Sequence, residues 1–137
     1  MVFFPKLYDS GKITQIAGAA SITFLKGSAV VDDGAGFLTN AASGTAVDIH
    51  FVTVEAVVTS ATAGDLVEVL RTWGAIFDAD TDADPARTDV GTEADLATVA
   101  TINPDASTND LFYIESIQGA LADRLVRGFF LAGVPNS

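Results

Sequence analysis

Five aspartates at regular spacing are the residues of this sequence whose type and positions best suit a metal ion. Counted from the first, they fall at positions 1, 3, 5, 7 and 12, as the ligands of a calcium loop do: Asp78, Asp80, Asp82, Asp84 and Asp89. The sixth position is Ala83, where such a loop needs glycine for its turn, and no glutamate stands at the twelfth. We therefore expect a solvated acidic loop, with calcium binding as the alternative, and no bound metal or other cofactor.

Side chains typical of catalysis are scarce. His50 is the single histidine, and its apolar neighbours favour a packed or hydrogen-bonded structural residue over a general base. Nothing in the sequence places a nucleophile and an orienting acid beside it. Among 18 acidic residues, no pair can be singled out for glycoside chemistry. We expect that the protein is not an enzyme.

Two further motifs have a binding interpretation and a structural one. Four aromatic residues are candidates for a sugar or ligand groove, although large aromatics more often form the core of a small β domain: Trp73, Phe77, Phe112 and Tyr113. The run Asp32–Gly36 resembles a phosphate-binding loop only in its glycines, because no lysine or hydroxyl residue follows at the required spacing. Asp-Gly between apolar runs predicts the tip of a β-hairpin instead.

Composition limits the partners. The chain has 18 Asp and Glu against 7 Lys and Arg, for a net charge of −11, so a phosphate backbone would be repelled and we expect no nucleic-acid partner. No apolar run is long enough to cross a bilayer, so we expect no membrane partner. The first residues lack the pattern of a signal peptide. Cysteine is absent, so stability must come from packing and from partners.

Short runs of β-branched and aromatic residues, separated by Gly, Asp, Asn and Ser, predict an all-β fold. The predicted strands are residues 12–16, 21–25, 28–31, 47–58, 66–72, 97–102, 111–117 and 125–131. The only segments where a helix could form are 92–98 and 116–124, and both would be short, so we expect at most one or two short helices. We predict an extended N-terminal arm at 1–16 and a single β domain at 17–137, built as a small β-barrel or β-sandwich with short turns.

The order of several phrases resembles the capsid decoration proteins of tailed bacteriophages, which are also called head-stabilising or cement proteins. An I-T-x-x-K-G phrase precedes a valine pair and an Asp-Gly turn, then A-G-D leads into V-x-V, G-x-x-F and V-G-T, and a branched or aromatic strand closes the domain. These phrases are Ile22–Gly27, Val30–Val31, Asp33–Gly34, Ala63–Asp65, Val67–Val69, Gly74–Phe77, Val90–Thr92 and Val126–Leu131. Trp73 and the acidic loop do not match the family pattern.

The resemblance implies a structural virion protein that stabilises an assembled icosahedral capsid from outside. Its partners would be the major capsid protein and itself, as a homotrimer, and its location would be the outer capsid surface. The candidate capsid-binding residues are the apolar ones of the arm: Val2, Phe3, Phe4, Leu7 and Tyr8. Such an arm could pair with a capsid strand through its main chain, or it could cover the domain's own core. The alternative function is a carbohydrate-binding or adhesive module on a virion or cell surface.

Overall fold

The computed structural model describes residues 2–8 and 12–131. The expected arm and domain also include residues 1, 9–11 and 132–137, which lie outside the described residues. The strands are β1 Phe3–Leu7, β2 Ile13–Ala17, β3 Thr23–Phe24, β4 Ala29–Asp32, β5 Leu38–Asn40, β6 Phe51–Thr53, β7 Val57–Val58, β8 Leu66–Arg71, β9 Ile76–Thr81, β10 Glu93–Thr98, β11 Thr101–Asn103, β12 Phe112–Ile117 and β13 Leu125–Phe130. Two 3-10 turns are Arg87–Asp89 and Leu121–Asp123.

The all-β prediction is confirmed, and part of the chain forms a closed barrel. β9, β11, β10, β12 and β13 follow one another in a sheet, and antiparallel pairing of β13 with β9 closes it. β9 and β11 run parallel, while the other pairs are antiparallel. β1 joins this sheet by pairing with β9. No helix in the described part of the chain is long and apolar enough to span a membrane.

Residues 13–71 build a second sheet against the barrel. Its strand order is β2-β8-β6-β4-β5, and a bridge between Gly18 and Leu38 brings its two edges together. β3 and β7 form a separate two-stranded sheet. The buried apolar residues form two clusters, a larger one that includes Phe3, Phe77, Phe112 and Phe130, and a smaller one of Phe24, Val30, Leu38, Val67 and Val69. Neighbouring residues of β4 point to opposite faces, since Ala29 belongs to the larger cluster and Val30 to the smaller. The larger cluster contains residues of both sheets, so the sheets share one core.

The hairpin predicted at Asp32–Gly36 connects β4 to β5. Asp32 Oδ1 accepts hydrogen bonds from the backbone N–H groups of Gly34 at 3.0 Å and Gly36 at 2.9 Å. Both glycines have positive φ, +96° and +91°, which a side chain would strain. The turn is therefore stabilised by its own aspartate.

Other sequence predictions need correction. Of the two segments where a helix could form, the first contains β10 and the second contains the end of β12 and one 3-10 turn. The long strand predicted at 47–58 is two short ones, β6 and β7. β9 includes Asp78 and Asp80 of the predicted acidic loop, a prediction that follows from the rarity of aspartate in strands. Its alternation of Phe77 and Ala79, which are buried, with Asp78 and Asp80 was the signal for a strand.

Candidate functional site

β1 divides the predicted capsid-binding residues between the core and the surface. Phe3 is only 1% exposed, and its ring lies edge-on to Phe130 with centroids 4.9 Å apart. It faces inward because it pairs with Ala79, a core residue of β9. Val2 is half-buried, and a Cβ at Gly27 would lie 2.5 Å from the Cβ of Val2. Phe3 and Val2 thus pack against the protein itself.

The other three candidates are on the surface. Phe4 is 49% exposed, Leu7 is 67% exposed and Tyr8 is 46% exposed. Phe4 lies opposite Asp78 and Leu7 opposite Ile76, and these two β9 residues are on the same side of that strand. Since directly opposite residues share a face, Phe4 and Leu7 lie side by side on the outside of the barrel. We call Phe4, Leu7 and Tyr8 the β1 patch.

Polar contacts of Asp78 and Asp80 lie beside the β1 patch. Asp78 is only 7% exposed, and its carboxylate accepts hydrogen bonds from Arg127 on β13 at 2.7 and 3.3 Å. Lys6 Nζ lies 3.7 Å from the same carboxylate, and the Val2 N–H lies 3.4 Å from an Asp80 oxygen. Hydrogen bonding to Asp78 raises the pKa of Arg127, together with the charges of Asp78 and Glu115 and against a smaller loss of solvation. Asp78 is therefore the acidic centre that joins β1, β9 and β13.

Main-chain pairing of β1 is used within the protein. One edge of β1 pairs with β9, and the Phe3 N–H donates to the Gly27 carbonyl at 2.8 Å. Pro5 has no N–H to offer. β1 is the edge strand of its sheet, so main-chain addition to a capsid strand, which the sequence left open, would use this second edge, where the Phe3 N–H is already bonded and Pro5 offers none.

The five aspartates do not form one loop. Asp78 and Asp80 belong to β9, so the prediction of a solvated acidic loop is wrong for Asp78, which is buried with a cationic partner. Asp84 pairs with Arg124 at 2.8 Å. Asp89 accepts a hydrogen bond from the Ala86 N–H at 2.7 Å. Within residues 2–8 and 12–131, no group of three or more His, Asp or Glu side chains is placed to hold a metal ion.

The four aromatic candidates for a groove lie in different places. Phe77 and Phe112 are fully buried in the larger cluster, and Tyr113 stacks on Phe129 with centroids 5.0 Å apart. Trp73 is half-exposed, with the Lys12 ammonium 3.6 Å from its ring centroid. The core interpretation is therefore correct for Phe77 and Phe112, and no groove joins the four rings.

His50 is exposed just before β6, whereas the sequence favoured a packed or hydrogen-bonded structural residue. Its carbonyl accepts the Thr72 N–H at 2.9 Å. Its imidazole has no hydrogen-bond partner among the described residues, so no neighbouring group orients it for general-base catalysis.

Asp95 is an important polar residue that no sequence motif indicates. Asp95 on β10 is 7% exposed, and its carboxylate accepts the backbone N–H groups of Thr108, Asn109 and Asp110 at 3.0, 2.7 and 2.8 Å. The partners lie 13 to 15 residues away in the chain, so no local motif revealed them. Asp95 orders the loop that leads into β12.

Comparison with protein-family models, curated proteins and solved structures finds no significant match for this chain. The class of protein that fold and surface define is a small all-β protein with a closed barrel and an exposed apolar patch on an anchored strand.

Proposed function

We propose that the protein is a capsid decoration protein of a tailed bacteriophage, which binds the outside of the assembled shell through the β1 patch. The observation that carries the proposal is the exposure of Phe4 and Leu7 on a strand that is otherwise firmly attached. Apolar side chains grouped on the surface of a soluble domain mark interaction sites. The order of sequence phrases that resembles the decoration proteins supplies the kind of partner.

The physical logic of the function is mass action. A protein that binds the assembled shell but not its separated subunits stabilises the shell. Such a protein needs a surface that offers apolar contacts without rearranging, and the pairing of β1 with β9 and the burial of Phe3 attach the patch to the barrel. A net charge of −11 keeps the free protein soluble despite the exposed patch.

We further propose that the protein acts as a homotrimer on the capsid, and that its location is the outer capsid surface. Repetition of one contact around a symmetry axis multiplies a weak interface through avidity. Like charges oppose association of free copies, so we expect trimers on the shell and weaker ones in solution.

The carbohydrate-binding alternative has less support from the geometry. Two of its four aromatic candidates are buried, and Trp73 already has an ammonium over its ring. A sugar would have to compete with Lys12 for that face of the indole. Specific binding on a glycan array would favour this alternative and count against the decoration proposal.

The test is co-sedimentation with capsids of the phage that carries this chain, after removal of the native protein. The double variant Phe4→Ser, Leu7→Ser should lose binding while its melting temperature stays close to that of the wild type. The matched control is Val58→Ser, Leu66→Ser, which removes two equally exposed apolar residues from β7 and β8 and should bind normally. Mass spectrometry of intact virions should show a copy number near that of the major capsid protein.

Two results would contradict the proposal. Absence of the protein from purified virions would exclude a decoration role altogether. Normal binding by the Phe4→Ser, Leu7→Ser variant would leave the role intact but remove the β1 patch from the interface.

A further inference from the structure

A cavity of about 560 Å³ opens at the second sheet, on a different part of the surface from the β1 patch. Its apolar wall includes Val30 and Leu38, which belong to the smaller apolar cluster, and Ile16 and Phe51, which pack against that cluster. Phe37, at the base of the β4–β5 hairpin, contributes a second ring. The volume is in the range of small-molecule sites, which are concave and mainly apolar.

The polar residues that line the cavity are mostly acidic. Asp32 and Asp48 are exposed carboxylates, and His50 is the only other titratable residue of the lining. No lysine or arginine lines the cavity. Arg71 lies near it, with its guanidinium carbon 5.6 Å from the centroid of the Phe51 ring.

Only some of the titratable side chains that line the cavity have hydrogen-bond partners. Asp32 Oδ1 is occupied by the glycine N–H groups of the hairpin. Among the described residues, neither the Asp48 carboxylate nor the His50 imidazole has a hydrogen-bond partner. The cavity therefore combines an apolar wall with a carboxylate, that of Asp48, which has no ion-pair partner among the described residues. A cavity of this kind suits a ligand with an apolar body and a positive charge.

We propose that this cavity binds small organic cations: an ammonium group on an apolar body the size of one aromatic ring. The apolar body is buried against Ile16, Val30 and Phe51, where it gains the free energy of leaving water. The ammonium lies at the rim, where it meets Asp48 and Asp32 without losing its hydration completely. An anion of the same shape would face repulsion from these two carboxylates.

The site is independent of the capsid proposal. The residues of the β1 patch do not line this cavity, so loss of shell binding and loss of ligand binding can be observed separately.

The test uses three probes of one shape: phenethylammonium, phenethyl alcohol and hydrocinnamate. We expect amide chemical shifts of the cavity-lining residues to titrate with phenethylammonium, with a dissociation constant on the order of a few millimolar for so small a ligand. The alcohol should bind about threefold more weakly, and the carboxylate more weakly still, since an exposed charge pair contributes modestly. Added salt should reduce the preference for the ammonium.

Asp48→Asn is the decisive variant, because it removes charge without changing the volume of the side chain. It should weaken phenethylammonium about threefold and leave the alcohol unchanged. Asp105→Asn, an exposed carboxylate that does not line this cavity, is the control and should bind like the wild type. Ala46→Trp, which fills the cavity from its rim, should abolish binding of both probes.

Several outcomes would overturn the proposal. One is the absence of shifts at cavity residues with any probe. Another is equal binding of ammonium and carboxylate, and a third is an Asp48→Asn variant that binds phenethylammonium as the wild type does.

Discussion

Asp78 on β9 and Arg127 on β13 lie directly opposite each other and form a two-pronged ion pair, with Nε 2.7 Å from Oδ1 and Nη2 3.3 Å from Oδ2. Lys6 on β1 approaches the same carboxylate. Asp78 thus connects the strand that closes the barrel with the strand that carries the β1 patch. A residue expected on a solvated loop is instead a structural centre.

Asp78→Asn should lower the free energy of unfolding, because the largely buried position then lacks the carboxylate that pairs with Arg127 and Lys6. Asp84→Asn is the matched control, since Asp84 pairs with Arg124 on the exposed surface, and it should stay within about 0.5 kcal/mol of the wild type. Urea unfolding measures both. Equal destabilisation by the two variants would show that burial of the Asp78 carboxylate adds nothing to its pairing with Arg127.

The pH dependence follows from the direction of the Arg127 shift. The Asp78 hydrogen bond raises the pKa of Arg127 in the folded state, so the associated stabilisation is complete below the unfolded pKa and is lost as pH rises through the folded one. Both values lie far above neutrality. The stability difference between the wild type and Arg127→Gln should therefore be constant from about pH 6 to about pH 9. A stability difference that decreases between about pH 6 and about pH 9 would contradict the raised pKa of Arg127.

Phe3 and Phe4 are adjacent, yet their substitutions should differ greatly. Phe3→Ala removes a buried ring that contacts Phe130, and we expect a loss of about 3 to 5 kcal/mol. Phe4→Ala removes a half-exposed ring and should cost less than about 1 kcal/mol. Thermal or urea unfolding measures both. The same reasoning indicates that deletion of residues 1–10 would disturb the fold, so point variants are the better test of shell binding.

Asp95→Ala should loosen the loop that precedes β12. Three backbone N–H groups lose a charged acceptor, and we expect a cost of about 2 kcal/mol or more. Amide hydrogen exchange should accelerate at Thr108, Asn109 and Asp110 before it does in the barrel strands. Asp95→Asn keeps one acceptor oxygen and should show an intermediate effect. Unchanged exchange at these amides in the alanine variant would refute the role.

Calcium should leave the melting temperature unchanged. Asp78 and Asp84 are each paired with an arginine, and Asp89 accepts a backbone N–H, so the carboxylates do not converge. A ligand that binds only the folded state would raise stability by about 2.7 kcal/mol at a hundredfold excess over Kd. A melting temperature that falls on addition of chelator, and no longer does so after Asp80→Asn and Asp82→Asn, would establish a site.

Local features of the sequence were sufficient for the fold class and for one hairpin. β-branched residues in short runs and turn residues between them favour strands wherever they occur, and Asp32–Gly36 carries in five residues both the glycines and the aspartate that its turn needs. The identity of β9 was also encoded, in the alternation of Phe77 and Ala79 with aspartates, but the low strand propensity of aspartate obscured it.

Only the tertiary structure decided which residues of these strands are buried and which are exposed, because the residues that cover them lie far away in the chain. Phe3 and Phe4 are the same residue type in neighbouring positions, and only the register of β1 on β9 sends one into the core and the other to the surface. Asp78 is buried because Arg127, 49 residues later, lies opposite it across the closure of the barrel. A local sequence pattern shows which residues of a strand alternate between its two faces. Which of those faces is buried depends on the neighbouring strands, and these come together only when the whole chain folds.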